Sequence, residues 1–201
     1  MFQYAMPTTL FFGKDCIAES GNIIQSFGKK ALIVTGRHSA KINGSQKAVT
    51  DKLEELGISW ILFDEVESNP SIQTVRKAAA AGQREGVDFV IAIGGGSPID
   101  AGKVIALLCT NELDDAALFT GPYKKPLPII TVPTTSGTGS EVTKAAILTN
   151  PHAGTKQAVA DPMLFPAASF ADPAFTMAVS VPVTIDTAVD ALSHAVEGYM
   201  A

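Results

Sequence analysis

The sequence predicts an α/β fold: a parallel sheet with helices on both faces, plus one β-hairpin. Three observations predict it. Short apolar runs alternate with helix-period segments over residues 31–135. The runs are continuous in Val, Ile and Leu, as in strands buried on both faces. One of them, 90–93, passes straight into Gly94-Gly95-Gly96-Ser97-Pro98, a strand-to-helix turn almost without side chains.

The elements follow in order. Residues 31–36, ALIVTG, read as a buried strand ending in Gly. Residues 45–57 read as an amphipathic helix closed by Gly57, the residue type favoured just past a helix end. Residues 59–66 are the next strand, and 71–86 a helix with Ser71 as N-cap, because its side-chain oxygen can accept from a free first-turn amide. Residues 88–96 are the third strand. Residues 98–109 are a helix with Pro98 in its first position, where a missing N–H does no harm. Residues 127–135 are the fourth strand. After Thr135 the pattern changes. Residues 144–160 read as a hairpin around a Pro/Gly turn, and 168–172 as a short strand within a Pro-rich stretch. Residues 184–201 read as a helix with Thr184 as N-cap and an apolar stripe of Ile185, Val189, Leu192, Val196 and Tyr199. The sequence ends inside that pattern without a capping residue, which leads us to expect a longer parent chain.

Composition excludes several classes. The chain has 201 residues, 46% hydrophobic and 17% charged, with net charge −5 and no basic run. Nucleic acid and anionic membrane surfaces are therefore not expected partners. Cys16 and Cys109 stand alone in apolar contexts, so neither a disulfide framework nor a thiolate metal site is expected. No signal-peptide pattern and no membrane-length apolar run are present. A cytoplasmic location is expected.

The glycine turn carries the first functional signal. A Gly-rich turn after a parallel strand lies at the strand's carboxyl end, where open α/β sheets bind ligands. Without Cβ atoms, a pyrophosphate can reach the backbone amides at the helix N-terminus. Ser97 adds a hydroxyl. Asp100 would repel a phosphate if it pointed inward, so it is expected to orient a ribose hydroxyl or a backbone group. A tight connection needing positive φ would require only one glycine. The turn matches neither G-x-G-x-x-G, since residue 99 is Ile99, nor a Walker A loop. A second turn, 133–143 (PTTSGTGSEVT), offers five hydroxyls before Thr143 and two glycines. It is either an ordinary capped loop or a cover over a nucleotide.

Asp190 and His194 lie four residues apart on the last helix and share a face, with Glu197 on the same side. They are either a solvated pair joined by a hydrogen bond or two ligands of a metal such as Fe, Zn or Mn. Two ligands make an incomplete site. His38 and His152 are the other histidines, both in loops on the nucleotide side; His38 reads as a turn residue.

With these motifs assembled, the chain resembles the iron-containing (group III) alcohol dehydrogenases. The matching residues are FFG (11–13), NP (69–70), IGGGSPID (93–100), PTTSGTGSEVT (133–143) and DALSHAVEGY (190–199), in the family's order. The resemblance implies a Rossmann-like nucleotide domain over 1–182 and the first helix of an all-helical second domain over 183–201. It implies a divalent metal, Fe²⁺ or else Zn²⁺, held by one Asp and three His. Asp190 and His194 match the first two ligands, and the other two would lie beyond residue 201. It also implies Gly95, Gly96, Ser97 and Asp100 on the pyrophosphate side. Thr134, Thr138, Thr143 and Lys156 would line the dinucleotide site, with Asn69 near the adenosine ribose.

Where NAD-using members place an Asp after the first strand, this chain has Gly36, followed by Arg37, Ser39 and Lys41. A carboxylate there would repel a 2′-phosphate, so its absence implies NADP(H) in preference to NAD(H). The alternative is a glycine the turn itself needs. The implied reaction is reversible hydride transfer between NADP(H) and a primary alcohol or aldehyde, in a protein that self-associates when complete. Other readings are a glycerol dehydrogenase, a dehydroquinate-synthase-like enzyme, or an inactive nucleotide-binding module.

Overall fold

The computed structural model describes residues 5–151 and 153–200; His152 lies outside them. In chain order the elements are β1 (Thr9–Phe12), α1 (Cys16–Ser20), β2 (Lys30–Thr35), α2 (Ser39–Ile42), α3 (Ser45–Glu55), β3 (Ser59–Phe63), α4 (Ile72–Glu85), β4 (Phe89–Gly94), α5 (Gly96–Leu108), α6 (Ala117–Thr120), β5 (Ile129–Pro133), β6 (Ala145–Asn150), β7 (Thr155–Ala160), β8 (Ala168–Ala171) and α7 (Val181–Met200). Six strands form one sheet in the order β1-β8-β5-β4-β2-β3, and every neighbouring pair is parallel. β6 and β7 form a separate antiparallel hairpin, in register from Ala145↔Ala160 to Asn150↔Thr155.

The chain runs from β2 outward to β3 and then returns to β4 on the other side of β2. That reversal opens a crevice at the carboxyl ends of β2 and β4, the usual ligand position in such sheets. Apolar clusters cover both faces. Leu32, Val34 and Val90 pack with Val75 of α4 and Val104 of α5. Ile33, Ile91 and Val132 pack with Ile17 of α1 and Leu53 of α3.

The local signals mostly hold. Ser71 caps α4 by accepting from the Thr74 amide, and Gly57 follows α3 at φ +65°. Three readings change. α5 begins at Gly96 with Gly95 as N-cap, so Pro98 is its third residue, where an N–H is still not required. Asp100 then lies beyond the first turn. α7 begins at Val181, so Thr184 is inside it and donates its hydroxyl to the Ser180 carbonyl at 3.0 Å. The start was hidden because Pro182 reads as a breaker, yet a proline in a helix's first turn is harmless. β1 was legible only as the FFG motif; it is the sheet's edge strand beside β8. The apolar stripe of α7 is exposed in the described residues, Leu192 at 63% and Tyr199 at 92%.

Candidate nucleotide and metal-ligand site

The three glycines of the turn serve three different purposes. Gly94 has φ +146°, and a Cβ on it would lie 2.6 Å from Pro98 Cγ. Gly95 has φ −79° and ψ −160°, which any residue can adopt. A Cβ there would come 3.0 Å from Thr135 Oγ1, and one on Gly96 2.9 Å from Thr138 Cγ2. These two glycines keep open the space between the turn and the hydroxyl loop. Further along, a Cβ on Gly102 would lie 2.5 Å from the Ala92 Cβ. That close approach seats α5 on β4 and aims its N-terminus at the crevice. No side chain caps α5, and its first turn has no acidic residue. Its leading amides are therefore open to an anion.

Hollows lie on both sides of this turn. One, of about 500 Å³, is lined by Asn69, Gly96, Ser97 and Asp100, by Thr138, Ser140 and Thr143, by Thr149 and Lys156 of the hairpin, and by Asp190 and His194 of α7. The other, of about 370 Å³, is lined by His38 and Ser39 after β2, Gly95, Thr134, Thr135 and Val179. A third, of about 480 Å³, lies beside α4, and several of its polar side chains are engaged. Arg76 is ion-paired to Asp115 at 2.6 Å, and Gln83 donates to the Leu108 carbonyl at 2.8 Å.

Most of the residues singled out in the sequence meet here, with reassignments. Ser97 Oγ accepts from the Asn69 amide at 3.2 Å, which leaves its own proton to donate. Asn69 is in the left-handed region at φ 56°, which Asn tolerates. Its carbonyl accepts from Thr149 Oγ1 at 3.0 Å. Asn69 therefore lines the same hollow as Lys156 and His194. Asp100 turns to the hydroxyl loop and β6. Its Oδ1 accepts from Ser140 Oγ and its Oδ2 from the Ile147 amide at 2.9 Å. It thus orients a backbone group, one of the two roles open to it. Burial pushes its carboxyl above the usual range, against those donors. The Thr134 amide bonds to the Gly94 carbonyl at 2.9 Å and extends the ladder past the turn.

Beyond β2, Gly36 has no positive φ, and a Cβ on it would meet only the Val66 carbonyl at an ordinary 3.4 Å. The backbone does not require a glycine there. Arg37 is exposed. Lys41, the third candidate donor, is instead ion-paired to Asp64 at 2.6 Å. Lys41 and, more weakly, Arg37 hold the Asp64 carboxyl below its usual range.

Asp190 Oδ1 and His194 Nε2 are 3.8 Å apart, too far for a hydrogen bond, and both face the first hollow. α7 reaches this position through a backbone-close contact, since a Cβ on Gly137 would lie 2.6 Å from the Thr187 carbonyl. The pair supplies one carboxylate oxygen and one imidazole nitrogen, a donor set that suits Fe or Zn. Among the described residues no group of three or more His, Cys, Asp or Glu converges. The residues present thus fit part of a metal's coordination sphere.

Sequence reasoning missed Lys103. Its side chain is fully buried in α5, and its Nζ donates to Ser140 Oγ at 2.9 Å, Thr143 Oγ1 at 3.3 Å and the Ala145 carbonyl at 2.7 Å. The signal was available: a lysine inside the apolar run from Ala101 to Leu108.

Comparison with known proteins identifies the family. The family model for iron-containing alcohol dehydrogenase matches residues 7–173. NADH-dependent butanol dehydrogenase B of Clostridium acetobutylicum is 38% identical over 200 residues, covering 98% of this chain and 51% of that protein. The 1,3-propanediol dehydrogenase of Citrobacter freundii is 38% identical over 206 residues, covering 100% and 53%. A crystal structure of an iron-containing alcohol dehydrogenase from Thermotoga maritima superposes with a TM-score of 0.93 at 45% identity, covering 99% of this chain and 55% of that one. The chain spans about half the length of the curated relatives it matches. With the family model spanning most of its length, the chain belongs to the iron-containing alcohol dehydrogenase family.

Proposed function

We propose that this chain forms the nucleotide-binding side of an oxidoreductase that exchanges a hydride between NADP(H) and a small primary alcohol or aldehyde. One observation carries the proposal: the open amides of α5 and the Asp190–His194 pair face the same hollow. The amides of Gly96 and Ser97 would take the pyrophosphate. The adenosine end would lie toward Ser39 and Thr134, and the reactive end toward Asp190 and His194. Lys156, exposed on the hairpin, would add positive charge on that side. We place the start of a second domain at α7, and the complete protein would be a homo-oligomer.

Asp190 and His194 would hold Fe²⁺, or Zn²⁺, together with donors outside the described residues. When bound, the metal supplies Lewis acidity at the substrate oxygen and the dinucleotide supplies or accepts the hydride. The chain's own residues position the two. Gly95 and Gly96 let the dinucleotide approach, Ser97 orients it, and Gly102 and Gly137 fix the elements on either side.

The preference for NADP(H) rests on Gly36. The position has room for a side chain, so the missing carboxylate is not dictated by the backbone. Arg37 and Ser39 remain as donors for a 2′-phosphate. A second reading, a nucleotide-binding module without chemistry, is favoured by the incomplete ligand set. Calorimetric titration with NADPH and metal analysis test both. We expect one NADPH per chain and no stoichiometric iron or zinc on this chain alone. A chain that binds no dinucleotide would contradict the proposal. Tightly bound metal would mean that the ligand set is already complete.

A further inference from the structure

Lys103 lies beneath the first hollow but does not line it. Its three ammonium protons have three acceptors: Ser140 Oγ, Thr143 Oγ1 and the Ala145 carbonyl. Ser140 donates its own hydrogen bond to Asp100 Oδ1, and Asp100 Oδ2 accepts from the Ile147 amide. Lys103 and Asp100 are one turn apart on α5, with Nζ 3.8 Å from Oδ1. Two residues of the glycine-turn helix therefore grip the 140–143 turn and the first residues of β6.

Those gripped segments form a wall of the hollow. Thr138 and Thr143 stand on the loop, and Thr149 and Lys156 on the hairpin. The facing edge, Gly96 and Ser97, belongs to α5 itself. The distance between edge and wall is set through the Lys103 ammonium and the Asp100 carboxylate. Burying an ammonium is expensive unless its protons are taken, and here all three are.

We propose that Lys103 is a positioning residue for the nicotinamide half of the cofactor: it holds the hydroxyl loop and the hairpin at the separation from the glycine turn that this half requires. The proposal rests on the dinucleotide reading above. It makes the effect of Lys103 one-sided. The hollow of Ser39 and Thr134 is lined by residues that follow β2, β4 and β5 and by the 175–183 segment, and none of the residues of this network lines it.

The test is calorimetric titration of the chain and its Lys103→Met variant with NADPH and with 2′,5′-ADP, which carries only the adenosine side. The expected result is a loss of about tenfold in NADPH affinity, with 2′,5′-ADP affinity held within about twofold. Ser140→Ala, which removes one acceptor and leaves the lysine, should show a smaller loss with the same selectivity. It decides the matter if the Met variant does not fold. Unchanged NADPH affinity in the folded variants, or an equal loss for both ligands, would overturn the positioning role. A wild-type chain that binds neither ligand would instead overturn the dinucleotide reading, and the inference with it.

Discussion

The backbone amide of Asn69 donates to the side-chain oxygen of Ser97 at 3.2 Å. This bond joins the loop before α4 to the first turn of α5 and leaves the Ser97 hydroxyl its own proton to donate. Ser97→Ala should weaken NADPH binding by about three- to tenfold, the range of one net hydrogen bond. The site is partly exposed, so the urea midpoint should hardly move. Fluorescence titration and a denaturation curve read the two effects separately.

Gly94 and Gly95 should separate folding from binding. At Gly94 the positive φ and the nearby Pro98 ring oppose any side chain, so Gly94→Ala should destabilise the fold by about 1–3 kcal/mol. At Gly95 the backbone accepts a side chain, and the nearest contact is a Thr135 side chain that can rotate. Gly95→Val should fold and lose most of its NADPH affinity. Equal damage to folding in both variants would mean that the turn is only a structural connection.

The pH dependence of stability carries a signature of Lys103. Burial pushes its pKa from 10.5 down to about 8, while Asp100 and Glu141 pull the other way. Between these values the unfolded chain holds the proton more firmly than the folded one, so this residue's contribution to stability rises with pH from about 8 to 10.5 and is flat below. Urea curves of the wild type and Lys103→Met at about pH 7 and about pH 10 should show the wild type gaining on the variant, by at most ~3 kcal/mol. A constant difference would mean that Lys103 titrates normally.

Gly36→Asp tests cofactor preference. The position has space for the side chain, so the fold should tolerate it. The new carboxylate would repel a 2′-phosphate and accept from a 2′-hydroxyl. Calorimetry should show NADPH weakened by at least about tenfold and NADH strengthened. Asp64→Asn, which frees Lys41 from its ion pair, should act in the opposite direction.

Much of this was legible in the sequence because it depends on local periodicity. The strand–helix alternation, the hairpin and the Ser71 cap follow from residues close in sequence, and the glycine turn's place at the sheet edge follows from what flanks it. The Lys103 network joins residues 37 to 42 positions apart, and no local pattern carries that. Asp100 could be given two roles but not one, because Ile147, its backbone partner, lies on a distant strand. The hollow that Asn69 lines was not legible for the same reason: Thr149, which donates to its carbonyl, is 80 residues away. β1 escaped notice because a four-residue edge strand gives almost no periodic signal.

The central claim is that one ligand spans the glycine turn, with its reactive end beside Asp190 and His194. A crystal structure of the chain grown with NADPH tests it most directly. The account predicts the pyrophosphate on the Gly96 and Ser97 amides, the adenosine near Ser39, and the nicotinamide in the hollow with Lys156 and His194. A dinucleotide bound with its nicotinamide in the Ser39 hollow, or away from the turn altogether, would contradict it.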